Sequence, residues 1–545
     1  MSSCGGGEAR RFGSRRGHQA LLVRIPGVAL LVACGGGGPT GSDEPGPPPQ
    51  IVTAALDDVF VDMPFSEELE AQGLNGQYSW AVAGGSLPAG LALNSATGMI
   101  SGTPTGHGRS DFTVRLTNGD GQFALGDVAA ISLLHPIANC ADYPETAITT
   151  LEDAVLEAIV RLRLYNRGVL SDQQDDLTCA ALAQLEDIDP VFPPDVRSLA
   201  GVQNMTGLHD LVLGYGYQFD SGPLTPDPGH IVDLTPLEGL TSLEHLGLWG
   251  QSISDIAPLG ALTSLQQLEL GGNKISDVTV VANLLELRHL DLSYNASLTD
   301  IGPLASATKL ADLDLSNTPI SDITPLSGLT SLSRLLLDST AVSDLEPLAA
   351  SSSLRVLSIA NSGVSDLSSL SGIATLDYLG ISDNQASDLS PLASSTALAH
   401  LIAPNNEIED ISPLSALANL DVVDLQGNEN LADIAPLGGL DRLWMLNLRG
   451  TSVVDLSPLS DFAWLPNLDL RNNSITDVSP LGDVSLSKVW LYDNPLLTDI
   501  QPLVDNPWVG LGDELYVDYD NIGCDQIVAL RDKRVSVNPD QAPRC

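Results

Sequence analysis

The chain is long, strongly acidic and poor in aromatic residues. It has 545 residues, of which 4% are aromatic, and its 24 basic and 69 acidic residues give a formal net charge of −45. This length leaves room for several domains. The charge argues against a nucleic-acid partner, because binding to phosphates requires a positively charged surface.

Residues 1–34 have the composition of an export signal. Arg10, Arg11, Arg15 and Arg16 form a basic leader, and an apolar run follows at 25–33, which is too short to span a bilayer as a mature helix. The run ends in Leu31-Val-Ala-Cys34, which resembles the lipobox of bacterial lipoproteins. The resemblance implies a lipoprotein signal peptide over 1–34 and lipidation of Cys34. An ordinary signal peptide cut near the same point is the alternative. The translation start stays open, because Arg24 interrupts the run.

Residues 35–50, GGGGPTGSDEPGPPPQ, form a Gly/Pro-rich tether. They have nothing to bury, so we expect them to be flexible to semi-extended. A lipoprotein needs such a stalk to hold its domains away from the membrane. The lipobox resemblance therefore implies a lipid-anchored protein of the cell envelope, at the outer membrane or the cell surface and outside the cytoplasm.

Residues 51–135 have the pattern of a small β-sandwich. Polar and apolar residues alternate in short runs such as 77–82 and 111–116, and turn residues such as Asn118-Gly-Asp-Gly121 separate the runs. The segment from Leu87 to Pro104 closely resembles the immunoglobulin-like domains that are repeated in bacterial surface proteins.

Some members of that family are cadherin-like and bind calcium. The resemblance therefore makes calcium an option at Asp57, Asp58 and Asp120, against the alternative that these carboxylates are solvated loop residues. We expect Trp80 to lie in the core of the sandwich.

Residues 136–207 precede the regular part of the chain. Apolar residues between Leu151 and Leu162 recur with a spacing near 3.6, which predicts an amphipathic helix. We expect this helix to belong to an amino-terminal cap, which shields the leucines of the first repeat from water.

Residues 208–505 repeat one phrase, LxxLxLxxN. Most of its intervals are 22 residues, a period typical of leucine-rich repeats. The leucines of each short strand point inward and the residues between them point outward, so successive strands are predicted to form a parallel sheet. The frames begin at Leu208, Leu243, Leu265, Leu287, Leu310, Leu332, Leu354, Leu376, Leu398, Leu420, Leu443, Leu465 and Leu486. We expect a hydrogen-bonded ladder of side-chain amides at Asn273, Asn295, Asn384, Asn406, Asn428, Asn473 and Asn494.

The frame and its return leg, as in Asp322-Ile-Thr-Pro-Leu326, closely resemble the internalin-type leucine-rich repeats of bacterial surface proteins. The resemblance covers roughly residues 150–545. It implies an α/β leucine-rich repeat solenoid, a parallel β-sheet horseshoe with short 3-10 or helical turns on its convex side, preceded by the all-β immunoglobulin-like sandwich. Members of the family are non-enzymatic binding modules that use the concave face.

Twelve aspartates recur at one position of the repeat, from Asp255 and Asp277 to Asp499. They are expected to begin the short helical turns, where carboxylates are favoured. A ladder of calcium sites is the alternative.

The first coil carries about 13 extra residues, which lie in 214–230 and include Tyr215, Tyr217 and Phe219. These rings form either a binding protrusion beside the concave face or a cover for the cap.

Residues 506–545 are predicted to form a carboxy-terminal cap with a short helix around 526–531 and a strand at 535–537. Four of the six cysteines lie in the two caps, and none lies in the regular coils. In an exported protein this pattern predicts two disulfides, Cys140 with Cys179 and Cys524 with Cys545.

Residues two, four and six positions after the first leucine of each frame are expected to form the concave face. Its early coils carry a column of like charges, Glu269, Asp291 and Asp314, which is either tolerated through solvent screening or kept for a cationic partner. Tyr378 belongs to a mildly apolar central floor. The late coils present residue types enriched in binding hot spots. They are Met445, Arg449, Arg471, Lys488, Trp490 and Tyr492.

The sequence contains no GxSxG, HExxH or phosphate-loop motif, and its eight histidines are scattered. We therefore expect no enzyme, no catalytic residue and no cofactor. The leading hypothesis is a monomeric surface lipoprotein that binds a protein partner through the concave face. The alternatives are a glycan or cell-wall binding module, for which the rings at 215–219 are the relevant feature, and an envelope spacer without a dedicated ligand.

Overall fold

The structure is a computed structural model, and it describes residues 48–74, 76–189, 196–214 and 231–538. The predicted signal peptide, nearly all of the tether and Cys545 lie outside these residues.

The amino-terminal domain is built only from β-strands. Its sheets have the strand orders β1-β4, β2-β9-β8-β5 and β3-β7-β6. The strands are β1 (Gln50–Ile51), β2 (Val59–Phe60), β3 (Phe65–Glu68), β4 (Ala71–Gln72), β5 (Tyr78–Gly85), β6 (Leu91–Leu93), β7 (Met99–Gly102), β8 (Gly108–Asn118) and β9 (Phe123–Leu133). Alternation along β8 buries Phe112, Val114 and Leu116, as the sequence pattern predicts.

Trp80 lies in the core of this domain and is 2% exposed. Gly98 has a φ of +77° and faces the indole, and a Cβ at Gly98 would lie 2.7 Å from the Trp80 ring. The glycine is therefore required twice, for its left-handed backbone and for the close approach of the ring.

A cap joins this domain to the repeats. It contains helices α1 (Ala154–Asn166) and α2 (Cys179–Leu182), and Asp153 caps α1 by accepting hydrogen bonds from the amides of Val155 and Leu156. Cys140 and Cys179 form a disulfide that closes a loop of 39 residues. Loop closure of this size stabilises a fold by about 4 kcal/mol.

Within the described residues, the repeats and their caps form one parallel sheet of 16 strands in sequence order. Each strand pairs with the next in register, so residues at equivalent repeat positions are direct neighbours. The strands are β10 (Asp187–Ile188), β11 (Asp210–Val212), β12 (His245–Gly247), β13 (Gln267–Glu269), β14 (His289–Asp291), β15 (Asp312–Asp314), β16 (Arg334–Leu336), β17 (Val356–Ser358), β18 (Tyr378–Gly380), β19 (His400–Ile402), β20 (Val422–Asp424), β21 (Met445–Asn447), β22 (Asn467–Asp469), β23 (Lys488–Trp490), β24 (Glu514–Tyr516) and β25 (Ser536–Val537).

Short helical turns return the chain from each strand to the next. Most are 3-10 helices with proline in the first turn. The 3-10 helices span Cys140–Asp142, Val202–Asn204, Thr235–Leu237, Ala257–Ala261, Thr279–Asn283, Gly302–Ser306, Thr324–Gly328, Glu346–Leu348, Ser368–Leu370, Ser390–Ser394, Ser412–Ala416, Ala435–Leu437, Ser457–Leu459 and Ser479–Leu481, and the last return turn is α3 (Gln501–Asp505). The carboxy-terminal cap adds α4 (Cys524–Asp532), and Cys524 is disulfide-bonded.

The repeated aspartates are exposed and begin these turns. In all twelve, a carboxylate oxygen accepts a hydrogen bond from the amide two residues later, as Asp322 does from Thr324. Their recurrence is explained by this backbone contact.

The seven predicted ladder asparagines are all buried. Asn295 is representative: its Nδ2 donates to the carbonyls of Leu270 and Leu292, and its Oδ1 accepts from the amide of Ile275 in the preceding coil at 2.8 Å. Thr318, at the equivalent position of the next coil, donates only to the carbonyl of Leu315. The asparagines therefore satisfy backbone groups of two coils at once.

The residue before each ladder position has a left-handed backbone. In the described coils from Leu243 onward, glycine, asparagine, aspartate or serine occupies this position in all but one, where Tyr294 has a φ of 56°. These residues tolerate the left-handed region better than others do. This preference is visible in the sequence but was not part of the predicted repeat frame.

Candidate interaction surface on the concave face

The in-register sheet turns the three outward positions of each repeat into three columns along the concave face. The first column includes His245, Gln267, His289, Asp312 and Arg334, which are paired strand by strand. The second column runs beside it through Glu269, Asp291 and Asp314, and the third through the residues two positions later. Neighbours in a column lie about 4.8 Å apart.

The early coils link the first two columns in a chain of ionisable groups. His245 lies between Asp210 and Glu269, with nitrogen–oxygen distances of 3.6 and 3.7 Å. His289 lies 3.8 Å from Glu269 and 3.2 Å from Asp312, and Asp312 accepts a hydrogen bond from Arg334 at 3.0 Å. The histidines therefore do meet other ionisable groups, and these come from adjacent coils.

These contacts shift the pKa values of the histidines upward. The contact with Glu269 raises the pKa of His245, and the hydrogen bond with Asp312 raises that of His289, in both cases against the effect of burial. The contact with His245 lowers the pKa of Glu269. Each protonated histidine is thus stabilised by the carboxylates on either side of it.

Asp291 and Asp314 are paired on adjacent strands. Their pKa values are raised, whereas that of Glu269 is lowered. Asp291 is 6% exposed, and burial, followed by the charge of Asp314, raises its pKa to about 7. Burial also raises the pKa of Asp314. Solvent screening does not account for this part of the acidic column, because water barely reaches Asp291.

The third column places small residues and one tryptophan beside these acids. A Cβ at Gly271 would lie 2.6 Å from the Trp249 ring and 2.9 Å from the Ser293 hydroxyl. The absence of a side chain at Gly271 therefore leaves room for both the indole of Trp249 and the hydroxyl of Ser293. Trp249 was not among the residues predicted for the concave face.

The central coils present the predicted apolar floor. Leu336, Val356, Tyr378 and Ile402 are all partly exposed along the columns. The rings of Tyr378 and His400 lie 6.1 Å apart on adjacent strands.

The late coils form an ordered cluster of aromatic rings and a guanidinium group. Trp490 stacks on Tyr516 of the next strand, with ring centroids 5.6 Å apart and an angle of 15° between the planes. Arg471 donates to the Tyr492 hydroxyl at 2.7 Å and lies 5.9 Å from the Trp490 ring. Arg471 also forms a salt bridge with Asp469, which raises the pKa of the guanidinium. The cap thus contributes Tyr516 to this cluster, and it leaves Trp490 partly exposed.

The other predicted late residues lie around this cluster. Lys488 pairs with Glu514 at 3.0 Å, and Met445 and Arg449 are partly exposed on neighbouring coils. Tyr215, Tyr217 and Phe219, and the proposed lipidation site Cys34, lie outside the described residues.

Sequence reasoning missed three exposed tryptophans close to the late coils. Trp444, Trp464 and Trp508 are 40%, 51% and 64% exposed, and they precede their strands, so they lie outside the three columns. Their concentration is visible in the sequence, where four of six tryptophans fall between residues 444 and 508.

Within the described residues, no group of three or more histidine, cysteine, aspartate or glutamate side chains is placed to hold a metal ion. Asp57, Asp58 and Asp120 are exposed. No helix in the described part of the chain is long and apolar enough to cross a membrane.

The fold and these columns define a leucine-rich repeat protein with an amino-terminal immunoglobulin-like domain. Residues 48–128 match the family model described as "Putative Ig domain", and residues 241–283 and 285–328 match "Leucine Rich repeats (2 copies)". No curated protein sequence matches the chain.

Among solved structures, the chain is similar to an internalin (InlF) of Listeria monocytogenes, with 29% identity and a TM-score of 0.55. The match covers 63% of this chain and 94% of the internalin. A leucine-rich repeat protein of Leptospira interrogans is similar in fold, with 17% identity and a TM-score of 0.55, over 66% of this chain and 97% of that protein. The predicted fold class, an immunoglobulin-like domain followed by an internalin-like solenoid, is therefore confirmed.

Proposed function

We propose that the protein is a non-enzymatic binding protein of the cell envelope, whose concave face holds a protein partner. The observation that carries this proposal is the cluster of Trp490, Tyr516, Tyr492 and Arg471. Its rings and guanidinium group are held in place by mutual contacts, so little side-chain freedom is lost on binding. Tryptophan, tyrosine and arginine are the residue types that dominate protein interfaces.

The shape of the surface supports a macromolecular ligand. The columns extend over many coils and change along their length from acidic, through mildly apolar, to aromatic and basic. A partner that spans them meets several distinct chemistries, which is how an interface acquires specificity. The similarity to an internalin supports the same class of function.

The variant Trp490→Ala/Tyr492→Ala tests this proposal. Each truncation of a hot-spot residue costs about 2 kcal/mol or more, so we expect the dissociation constant for the partner to rise at least about 30-fold. The full chain, immobilised, is used to capture proteins from an envelope extract of the source organism, and the captured protein is then titrated against both forms. Arg471 is left in place, because its removal would leave the buried Asp469 unpaired.

The matched control is Trp508→Ala/Tyr165→Ala, which removes the same residue types from exposed positions outside the columns. It should bind like the wild type. Equal binding by the test variant would move the site away from the late coils. Capture of no protein at all would favour the spacer, and retention of the chain on glycan or cell-wall material would favour the glycan-binding alternative.

We also propose that Cys34 carries the lipid that anchors the chain. Metabolic labelling with an alkyne fatty acid should label the wild type, and Cys34→Ser should lose the label and leave the membrane fraction. A labelled Cys34→Ser protein would refute this assignment.

A further inference from the structure

Two neighbouring carboxylates on the early coils, the buried Asp291 and the half-buried Asp314, have no salt bridge among the described residues. Asp291 and Asp314 face each other across β14 and β15, and within the described residues neither forms an ion pair with a cationic side chain. Arg334 pairs with Asp312, and its charge reaches Asp314 only at longer range, as the charge of His289 reaches Asp291. Charges buried in this way are costly unless a cation compensates them.

Two serine hydroxyls next to these acids are buried and make no well-aligned hydrogen bond. Ser293 is 1% exposed and Ser316 is 7% exposed, and among the described residues neither Oγ makes a hydrogen bond. Each hydroxyl lies beside the carboxyl group two residues earlier, Ser293 beside Asp291 and Ser316 beside Asp314, and acts to lower the pKa of that carboxyl without reaching good hydrogen-bond geometry. The backbone amides of the same serines already donate to these carboxylates at 2.9 Å. A buried polar group without a partner is uncommon in a folded protein, and here two of them flank an acidic pair.

The chemistry of the cluster matches an ammonium or guanidinium group. Such a group is rich in donors and has no acceptor, whereas two carboxylates and two hydroxyl oxygens offer acceptors from two adjacent coils. The indole of Trp249 and the hydroxyl of Ser293 both lie within 3 Å of where a Cβ at Gly271 would be, so the ring borders the cluster. Cations bind favourably near indole rings.

We propose that this cluster, Asp291, Asp314, Ser293 and Ser316 with Trp249 beside it, binds a lysine or arginine side chain of the partner protein. The proposal rests on the proposed function, because it names the chemistry by which the partner is recognised at the early coils. The partner then presents a basic segment to the early coils and a separate surface to the aromatic cluster of the late coils.

The groups that face the site make this binding sensitive to pH. They are Glu269, His289, Asp312, Arg334 and Asp338, on the strands and turns packed beside the two acids. As the pH falls through about 7, Asp291 takes up a proton, and His289 becomes charged in a range raised above that of a free histidine. Both changes remove negative charge from the site, so a cation binds best above pH 7 and is released in acid.

The test uses a fluorescent hexalysine peptide and the full chain at pH 8 and about 0.15 M salt, where long-range attraction by the remaining charge is screened. We expect Asp291→Asn/Asp314→Asn to weaken binding at least 10-fold. Asp322→Asn/Asp366→Asn changes the net charge equally at exposed turn positions and should weaken binding less than 2-fold. Wild-type binding should fall at least 10-fold between pH 8 and pH 5.5, and acetylated hexalysine should not bind.

Equal losses in the two double variants would show that only net charge matters, and unchanged binding by Asp291→Asn/Asp314→Asn would show that the cation binds elsewhere. Either result overturns the proposal. Thermal unfolding verifies that both variants fold. Trp490→Ala/Tyr492→Ala should bind hexalysine like the wild type. The hexalysine assay therefore tests only the cation site, and the titration with the partner protein tests the late-coil site.

Discussion

Asn295→Ala is expected to lower the free energy of unfolding by about 2–4 kcal/mol. The side chain is fully buried, and its amide group bonds to backbone groups of two coils. Alanine would leave the amide of Ile275 and the carbonyl of Leu292 without these partners, and each buried unsatisfied group costs about 1–3 kcal/mol. Urea denaturation followed by circular dichroism measures the loss.

Asn419→Ala is the matched control. Asn419 also bonds across a coil, to the carbonyl of Thr396, but it is exposed, so water replaces the lost contact. We expect a change of about 0.5 kcal/mol or less. A similar small effect for Asn295→Ala would mean that the ladder contributes little to the stacking of the coils.

Asp291→Asn is expected to have the opposite effect and to raise the free energy of unfolding by up to about 4 kcal/mol at pH 8. The pKa of Asp291 rises from 3.8 to about 7 on folding, so its ionised form is disfavoured in the folded state. Each pKa unit corresponds to about 1.4 kcal/mol. Asparagine keeps an oxygen that accepts from the amide of Ser293 and carries no charge.

The pH dependence identifies the cause. The contribution of Asp291 to the stability of the wild type falls as the pH rises from about 4 to about 7, because the unfolded chain ionises Asp291 first, and above about 7 the full penalty applies. The gain from Asp291→Asn should therefore disappear near pH 4. Asp322→Asn, at an exposed turn, should give no gain at either pH. A gain that stayed constant from pH 4 to pH 8 would rule out the buried charge as its source.

The proposed cation site gives a reason for the destabilising carboxylate at Asp291. A carboxylate that destabilises the fold by several kcal/mol is expected where it serves binding, because stability is commonly sacrificed at functional sites. Asp291→Asn should thus yield a more stable protein, and together with Asp314→Asn a protein that binds the cationic probe less well. Asn295, by contrast, stabilises the fold, and its replacement is expected only to lower the free energy of unfolding.

The sequence determined the solenoid, because one coil cannot bury its apolar side chains alone and the repeat of LxxLxLxxN fixes which faces stack. It also determined the ladder asparagines, the capping aspartates and the columns to which Glu269, Trp490 and Arg471 belong. Each follows from a short-range period that a single strand or turn imposes on its side chains.

Only the tertiary structure decided how side chains of different coils meet. The contacts of His245 and His289 with Glu269, and of Trp490 with Tyr516, join residues 20 or more positions apart, and they depend on side-chain direction within the columns. Burial of Asp291 likewise depends on what its neighbours cover, and Gly271 admits Trp249 only once two coils are stacked. A repeat period specifies that residues are neighbours, whereas dielectric environment and ring packing depend on the whole set of neighbours at once.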